Sequence, residues 1–413
     1  MNYKKHARTI NLQYLLISVL YAAGLGVWSG TIYIYMKHIH FNYGQINLFL
    51  IVFWITTFFS ELPSGIIADT FGRLETVIVS TIIRAVGLLI LTVSGANVFI
   101  LLLSAFLTGF GESLYSGAPD SWLVDKMQEM GLENTFGNIY SKTTFFTSIT
   151  SLISGYIGAN WLAHLSLKLP LIVGSMILLA IIPLLLLIIT REGEPKPKKK
   201  IRFQSINFKV SLKSMHQTLK EGLQEIKGNR NILKYLLAFL PITLIVTGPF
   251  NQWQLFFPTS GKLINTGNIL IGINVMSIIG SYLAKYFLSG SKNKLIMLTI
   301  LTFLNATTVI LSVLFNRNYL SVIFLWLHTL MVSSDEVSRY SVLQLLIKSK
   351  ARSTLISLKN TLEAAMTVIA LGINGFLSDK FGIGVSWVVL ALVGGLLTLG
   401  LYFNIMLTSK KES

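Results

Sequence analysis

Long hydrophobic runs separated by short polar segments make up most of the chain. Each run holds about 20 residues or more, the length that a helix rising ~1.5 Å per residue needs to cross ~30 Å of hydrocarbon. The alternating segments of about ten residues that mark an outer-membrane barrel do not occur in the sequence. The pattern therefore predicts an all-α membrane protein with twelve transmembrane helices, six on each side of a charged central stretch.

The predicted spans fall at 11–36, 44–69, 75–95, 97–125, 138–164, 169–190, 231–257, 266–288, 294–315, 318–346, 354–377 and 386–407. They divide the chain into an N-terminal six-helix bundle at 1–190, a cytoplasmic linker at 191–230 and a C-terminal six-helix bundle at 231–413. Apolar residues recur within the linker at steps of three and four, with lysines between them, at Phe208, Leu212, Met215, Leu219, Leu223 and Ile226. This spacing predicts a basic amphipathic helix on an anionic membrane surface, and a partner-binding role is the alternative.

Composition and charge agree with this topology. Hydrophobic residues make up 53% of the 413 residues and charged residues only 12%, against about 25% in a soluble protein. The segments predicted to be cytoplasmic hold Lys4, Lys5, Arg8, Arg73, Lys126, Lys142, Lys285, Lys292, Lys294, Lys348, Lys350, Arg352, Lys410 and Lys411, besides the basic linker. The opposite side holds only Lys37, Lys168, Lys262, Arg317 and Lys380. The bias predicts a multi-pass cell-membrane protein with both termini in the cytoplasm, and it explains the net charge of +17 without a nucleic-acid partner.

A compact polar motif separates the second and third predicted spans. It reads Gly65-Ile66-Ile67-Ala68-Asp69-Thr70-Phe71-Gly72-Arg73. Gly65 is expected to let two helices approach closely. Gly72 permits a backbone conformation that other residues resist. Asp69 and Arg73 lie four residues apart across a tight turn at the predicted cytoplasmic interface.

This motif resembles the signature of the major facilitator superfamily, which is Gly-x-x-x-Asp-x-x-Gly-Arg followed by a basic residue. Leu74 departs from it, since a Lys or Arg is usual at that position. The resemblance implies two pseudo-symmetric six-helix bundles that work by alternating access. It also implies that Asp125, at the end of the fourth span, joins Asp69 and Arg73 in a charge cluster that latches the outward-open state. A topological ion pair without a gating role is the alternative.

The second half of the chain carries weaker signals. The stretch Gly375-Phe376-Leu377-Ser378-Asp379-Lys380-Phe381-Gly382 looks like a degenerate copy of the same motif, on the outer side. The region from Arg352 through Gly382 partly resembles bacterial drug exporters of the macrolide-efflux type. Such internal copies are typical of a fold built from repeats.

Several charged residues fall within the predicted spans, where a charge costs roughly 2.5–3.5 kcal/mol on insertion scales and is usually functional. They are Glu61, Arg84, Glu112, Asp120, Asp335, Glu336, Arg339, Lys359 and Glu363. Glu112, Ser116 and Asp120 recur at steps of four, which predicts one shared helical face. The same spacing places Asp335 near Arg339 and Lys359 near Glu363.

Glu112 is the preferred proton carrier, followed by Glu61 and the Asp335–Glu336 pair. A carboxylate whose cationic partner changes with conformation can take up and release a proton. For each residue, a structural ion pair is the alternative. The fourth span lacks the arginine that proton antiporters of this family often carry, although Arg84 could supply it from the third span. The fifth span also lacks their Gly-Pro pair.

The sequence predicts a secondary transporter that exports a small amphiphilic organic compound in exchange for protons. Uptake of a nutrient by proton symport is the alternative, and a membrane sensor on a transporter fold is a third class. We expect no enzymatic activity and no cofactor or metal. The expected partners are a small-molecule substrate, protons and membrane lipid, and the expected state is a monomer.

Overall fold

The computed structural model describes residues 2–192, 230–257, 266–290, 294–315, 318–346 and 352–412, and all regular secondary structure within these ranges is helical. The chain forms two compact units, Met1–Phe41 with Phe49–Ser211 and Asn42–Leu48 with Leu212–Ser413. The predicted amphipathic helix of the linker lies outside the described residues. The domain boundaries of the sequence analysis therefore stay a prediction.

The first unit is built from helices that follow the predicted spans closely. These are α1 (Asn2–Ser29), α2 (Ile32–His38), α3 (Tyr43–Phe71), α4 (Arg73–Thr92), α5 (Val98–Tyr115), α6 (Ala118–Glu129), α7 (Phe136–Ile157), α8 (Ala163–Leu165) and α9 (Leu169–Glu192). The first residues of α3, up to Leu48, belong to the second unit. A π-helical turn at Gly158–Leu162 joins α7 to α8.

The second unit continues with helices of similar length in its described part. They are α10 (Arg230–Phe239), α11 (Ile242–Phe256), α12 (Thr266–Gly290), α13 (Lys294–Leu314), α14 (Tyr319–Leu346), α15 (Arg352–Phe381) and α16 (Ile383–Glu412). Within this unit, α12 packs on α14, α13 packs on α14 and α16, and α11 packs on α15 and α16.

Eleven helical stretches of the described chain are long and apolar enough to cross a membrane. The remaining predicted span, 138–164, coincides with α7, which at 22 residues reaches about 33 Å. Serine and threonine side chains make α7 more polar than these eleven helices. Their hydroxyls form hydrogen bonds within the helix, since Thr144 donates to the carbonyl of Tyr140 at 2.9 Å and Ser148 donates to that of Thr144 at 2.8 Å. The all-α membrane fold is confirmed, and α7 is long enough to be the twelfth predicted span.

Three of the predicted spans are broken helices, and the first span breaks between α1 and α2. The fourth breaks between α5 and α6, where Gly117 adopts a left-handed conformation with a φ of 74° and Pro119 stands in the first turn of α6. The seventh breaks between α10 and α11 at Pro241, which lacks a backbone N–H. The break in the fourth span shows that the predicted shared face of Glu112, Ser116 and Asp120 is wrong, because the helical period does not continue through Gly117.

Small residues bring α4 and α5 close together. The hydroxyl of Ser80 donates to the carbonyl of Gly111 at 2.6 Å, and that of Ser104 donates to the carbonyl of Gly87 at 2.7 Å. A Cβ on Gly87 would lie 3.0 Å from the backbone nitrogen of Thr108. Such close approach is typical of helix pairs in membranes, where packing replaces the hydrophobic effect.

We expect Gly87→Val to destabilise the protein by about 1–3 kcal/mol, because the added methyl groups would force α4 and α5 apart. Gly65→Val is the matched control, since a Cβ at Gly65 meets no described atom within 4 Å. Thermal unfolding of both variants in the same detergent measures the difference. Equal unfolding temperatures would contradict the close packing at Gly87.

In the second unit, the start of α3 is held by polar contacts. The side chain of Asn42 accepts from the Gln45 nitrogen at 2.7 Å, and that of Gln45 accepts from the Asn42 nitrogen at 3.0 Å, which forms a capping box. The Asp379 carboxylate accepts from the backbone nitrogens of Tyr43 and Gly44, each at 2.8 Å. A Cβ on Gly44 would lie 2.7 Å from this carboxylate, so Gly44 leaves room for the cap.

We expect Asp379→Ala to destabilise the protein by about 1 kcal/mol, because two N–H groups of α3 and the positive end of its dipole lose their acceptor. Lys380→Ala is the control at the next position. Thermal unfolding of Asp379→Ala, Asp379→Asn and Lys380→Ala should rank Asp379→Ala as the least stable. An Asp379→Ala variant as stable as the original chain would show that solvent replaces the cap.

Candidate functional site

The central feature of the first unit is an ion pair between α4 and α5. The guanidinium of Arg84 contacts the carboxylate of Glu112 and donates to the phenol oxygen of Tyr21 on α1 at 2.8 Å. The Arg84 side chain is 5% exposed and the Glu112 side chain 33% exposed. The packing of Gly111 against the backbone of Arg84 lets the two charged side chains meet. Both residues are candidates predicted from the sequence, and the structure places them together.

Tyrosine side chains from α1 and α5 lie beside this pair and continue the polar contacts along α1. The ring of Tyr21 stacks on that of Tyr115, with 3.3 Å between ring centroids. Tyr14 donates a hydrogen bond to the carboxylate of Asp120 at 2.5 Å. Tyr14 and Tyr21 are not among the residues predicted from the sequence, although their spacing of seven residues places them on one face of α1. Asp120 therefore has its own partner rather than sharing that of Glu112.

A charge that must stay in hydrocarbon is tolerated when an opposite charge and hydrogen bonds accompany it. Arg84 has both, since Glu112 supplies the charge and Tyr21 a neutral acceptor. Protonation of Glu112 would remove the charge of one member and leave the guanidinium unbalanced. The pair is thus a group whose net charge changes with a single proton, inside a membrane-spanning unit.

A second cluster lies where α3, α4 and α6 end or begin. Arg73 donates from Nε to the carboxylate of Asp125 at 2.8 Å and lies 3.3 Å from that of Asp69. Gly72 separates α3 from α4 with a φ of 113°, a backbone conformation that L side chains rarely adopt. The predicted latch residues thus lie together. The close helix approach expected at Gly65 is wrong among the described residues, because this exposed glycine has no neighbour there.

We expect Arg73→Ala to destabilise the protein by at most about 1 kcal/mol, because the side chain is one-quarter exposed and water screens its pairs. The loss should shrink as salt is raised, since salt screens the pairs of the original chain. Lys126→Ala removes a nearby exposed pair with Glu129 and serves as the control. Thermal unfolding at low and high salt measures both. A loss that is independent of salt would point to packing rather than charge.

In the second unit, the structure separates two neighbouring acids. Asp335 is fully buried, and Arg339 on the same helix lies 2.6 Å from its carboxylate. Glu336 is exposed, because successive residues of a helix point about 100° apart. Arg339 also donates to the carbonyl of Phe239 at 3.2 Å, at the end of α10 where the seventh span breaks.

The remaining charged candidates are Glu61 and the Lys359–Glu363 pair, and Glu363 lies close enough to Arg339 to interact with its charge. Lys359 and Glu363 pair along α15 at 2.6 Å, as their spacing predicted. Glu61 is exposed on α3 and takes part in none of these ion pairs. Within the part of the chain that the structure describes, there is no group of three His, Asp or Glu side chains that could hold a metal ion.

The comparisons with solved structures show the fold. The nucleoside transporter NupG is 16% identical, covers 97% of this chain and 99% of its own, and has a TM-score of 0.68. A bacterial homologue of the iron transporter ferroportin in the inward-facing state is 15% identical, with coverage of 95% and 98% and a TM-score of 0.70. An autoinhibited POT family peptide transporter is 13% identical, with coverage of 95% and 96% and a TM-score of 0.69.

At the level of sequence, no curated protein matches the chain significantly. The comparisons do not support the more specific resemblance to macrolide-type exporters. The family model of the Major Facilitator Superfamily matches residues 14–332, which is more than half of the chain. Together with the helical fold and its transporter neighbours, this match shows that the chain belongs to the Major Facilitator Superfamily.

Proposed function

We propose that this protein is a proton-coupled secondary transporter of a small organic compound, and that the Arg84–Glu112 pair couples the proton to the substrate. The observation that carries the proposal is the burial of Arg84 against Glu112 and Tyr21, between three helices of one unit. Intramembrane ionisable residues mark proton or substrate pathways in membrane proteins. No cofactor enters the mechanism, because the gradient supplies the free energy.

The physical basis of coupling is the charge of the pair. With Glu112 ionised, the pair is neutral overall and tolerates a dry surrounding. With Glu112 protonated, Arg84 keeps its charge, and a conformation that offers it water or a polar substrate group becomes more favourable. A proton that binds one conformation better than another shifts the populations of both. This linkage is what a transporter needs to exchange one gradient for another.

Export of an amphiphilic compound against inward proton flow is the first form of the proposal. Uptake by symport is the second, and the similar structures favour it equally, since they include a nucleoside transporter and a peptide transporter. The Asp335–Arg339 pair of the second unit and exposed Glu61 and Glu336 are secondary coupling candidates. The Lys359–Glu363 pair, which includes the candidate Glu363, is accounted for by local charge balance.

The proposal includes the location of the protein in the cell membrane, with both termini in the cytoplasm. The excess of Lys and Arg in the segments on that side of the membrane supports this orientation. Asp69, Arg73 and Asp125, with the turn at Gly72, form the conformational latch in this proposal. Support comes from the contacts of Arg73 with both acids. The functional unit is a monomer surrounded by lipid.

The proposal is tested with purified protein in vesicles under an imposed pH gradient. The probes are uridine, dialanine and the lipophilic cation ethidium, each followed together with a pH indicator inside the vesicles. Proton and probe fluxes in opposite directions support export, and parallel fluxes support uptake. Movement of every probe at the rate of protein-free vesicles would contradict transport of these classes.

We expect Glu112→Gln to abolish accumulation driven by the pH gradient while exchange of labelled for unlabelled probe continues. Glutamine keeps the shape of the side chain and one acceptor oxygen but cannot bind the transported proton. Glu129→Gln, on exposed Glu129, is the matched control and should retain both activities. Accumulation by Glu112→Gln at the original rate would show that another group carries the proton.

A further inference from the structure

A polar seam runs through the second unit where α13, α14 and α16 pack together. We use this name for the following residues throughout: Thr302, Asn305, His328, Asp335, Ser338 and Tyr402. His328, Asp335 and Ser338 recur at steps of seven and three, so they share one face of α14. The imidazole of His328 faces the backbone of Asn305, and the phenol of Tyr402 lies beside Asp335 and Thr302.

The seam is deeply buried. His328 is 3% exposed, and the other five members are fully covered. The ten residues from His328 to Ser338 extend about 15 Å along α14, which is about half of the hydrocarbon thickness. Apolar side chains pack against the seam, and Leu301 lies in the same buried cluster as Tyr402. Such a run of polar groups inside one packed unit is unusual, because apolar residues would fill the same space at lower cost.

Several polar atoms of the seam have no hydrogen-bond partner among the described residues. They are both amide atoms of Asn305, Nδ1 of His328, Oδ1 of Asp335 and Oγ of Ser338. Each such buried atom costs free energy comparable to a lost hydrogen bond, and native structures satisfy nearly all of them. Five such atoms along one seam therefore indicate small polar molecules that are bound there and form hydrogen bonds with them.

The charge around the seam decides which ligand fits. Arg339 balances Asp335, and Lys359 balances Glu363, whose carboxylate faces Arg339. Glu336, next along the chain, is exposed. With the buried charges balanced, the seam has no excess negative charge to hold a metal cation. Water is neutral, both donates and accepts, and makes about three hydrogen bonds at a typical buried site.

We propose that the polar seam binds a short chain of ordered water molecules, and that these waters carry protons to and from the Asp335 carboxylate. The proton moves by O–H bond exchange along the waters. Each water releases one proton as it accepts another, so only a single proton is transferred in total. His328 and Ser338 are positioning residues that orient waters on either side of Asp335. The inference concerns the second unit and does not depend on the role of the Arg84–Glu112 pair.

Hydroxyl-radical footprinting by X-ray pulses tests the hydration directly, because radicals made from bound water label the side chains beside it. The probe is bulk water itself, and the sample is the full chain in lipid nanodiscs. We expect His328 and Tyr402 to be labelled severalfold faster than Tyr35 and Trp387, which are equally buried but have protein partners. Labelling of all four at one rate would overturn the proposal.

Asn305→Leu refines the test, because leucine has nearly the shape of asparagine without its polar atoms. We expect it to lower the labelling of His328 and Tyr402 to the rate of Trp387. Ser312→Ala, on the same helix, is the matched control, since the Ser312 hydroxyl bonds to the carbonyl of Ser321. A dry seam would instead be stabilised by Asn305→Leu, so a higher unfolding temperature with unchanged labelling would contradict the proposal. Ser338→Ala gives the same comparison if Asn305→Leu does not fold.

Proton access is measured separately from hydration. After a pH jump, the infrared carboxyl band that Asp335→Asn removes should respond severalfold more slowly in Asn305→Leu than in Ser312→Ala. An unchanged rate, or no such band, would overturn the proton role. Labelling that disappears when sodium is replaced by choline would overturn water in favour of a cation. Proton-driven accumulation in vesicles is not part of these measurements, so their outcome is independent of the proposed function.

Discussion

Hydrocarbon offers no hydrogen bonds, so every charge and every open backbone group within a span must find its partner in the protein. This constraint accounts for the arrangement of both units. Arg84 is matched by Glu112 and Tyr21, and Asp335 is matched by Arg339. These pairs lie at contacts between packed helices. The charges therefore depend on the packing, and the packing must accommodate the charges.

The same constraint explains why the broken helices lie beside polar side chains. The seventh span breaks at Pro241, and Arg339 donates a hydrogen bond to the carbonyl of Phe239 at the end of α10. The fourth span breaks at Gly117, and Asp120 in the first turn of α6 accepts from Tyr14. Broken helices recur at the binding sites of transporters because the freed backbone groups are polar. Each of these two breaks lies beside a buried or half-buried charge.

The two units satisfy their buried charges differently. In the first unit, Arg84 is held by an acid from a neighbouring helix and by a tyrosine from a third. In the second unit, Asp335 finds its cation one turn away on its own helix. A cross-helix pair is sensitive to any shift of one helix against another, whereas a pair within one helix is not. This difference supports the proposal that proton binding is linked to conformation in the first unit.

The sequence by itself determined the membrane fold, the spans, the family motif and most of the charged candidates. Spans and local pairs can be read directly because hydropathy and the helical period are local properties, as for Lys359 and Glu363. The sequence did not determine that the fourth helix breaks at Gly117, that Asp335 is buried and Glu336 exposed, or that Asp379 caps α3. Partners such as Tyr21 for Arg84 were decided only by the tertiary structure, because the distance between residues on different helices depends on how the helices pack.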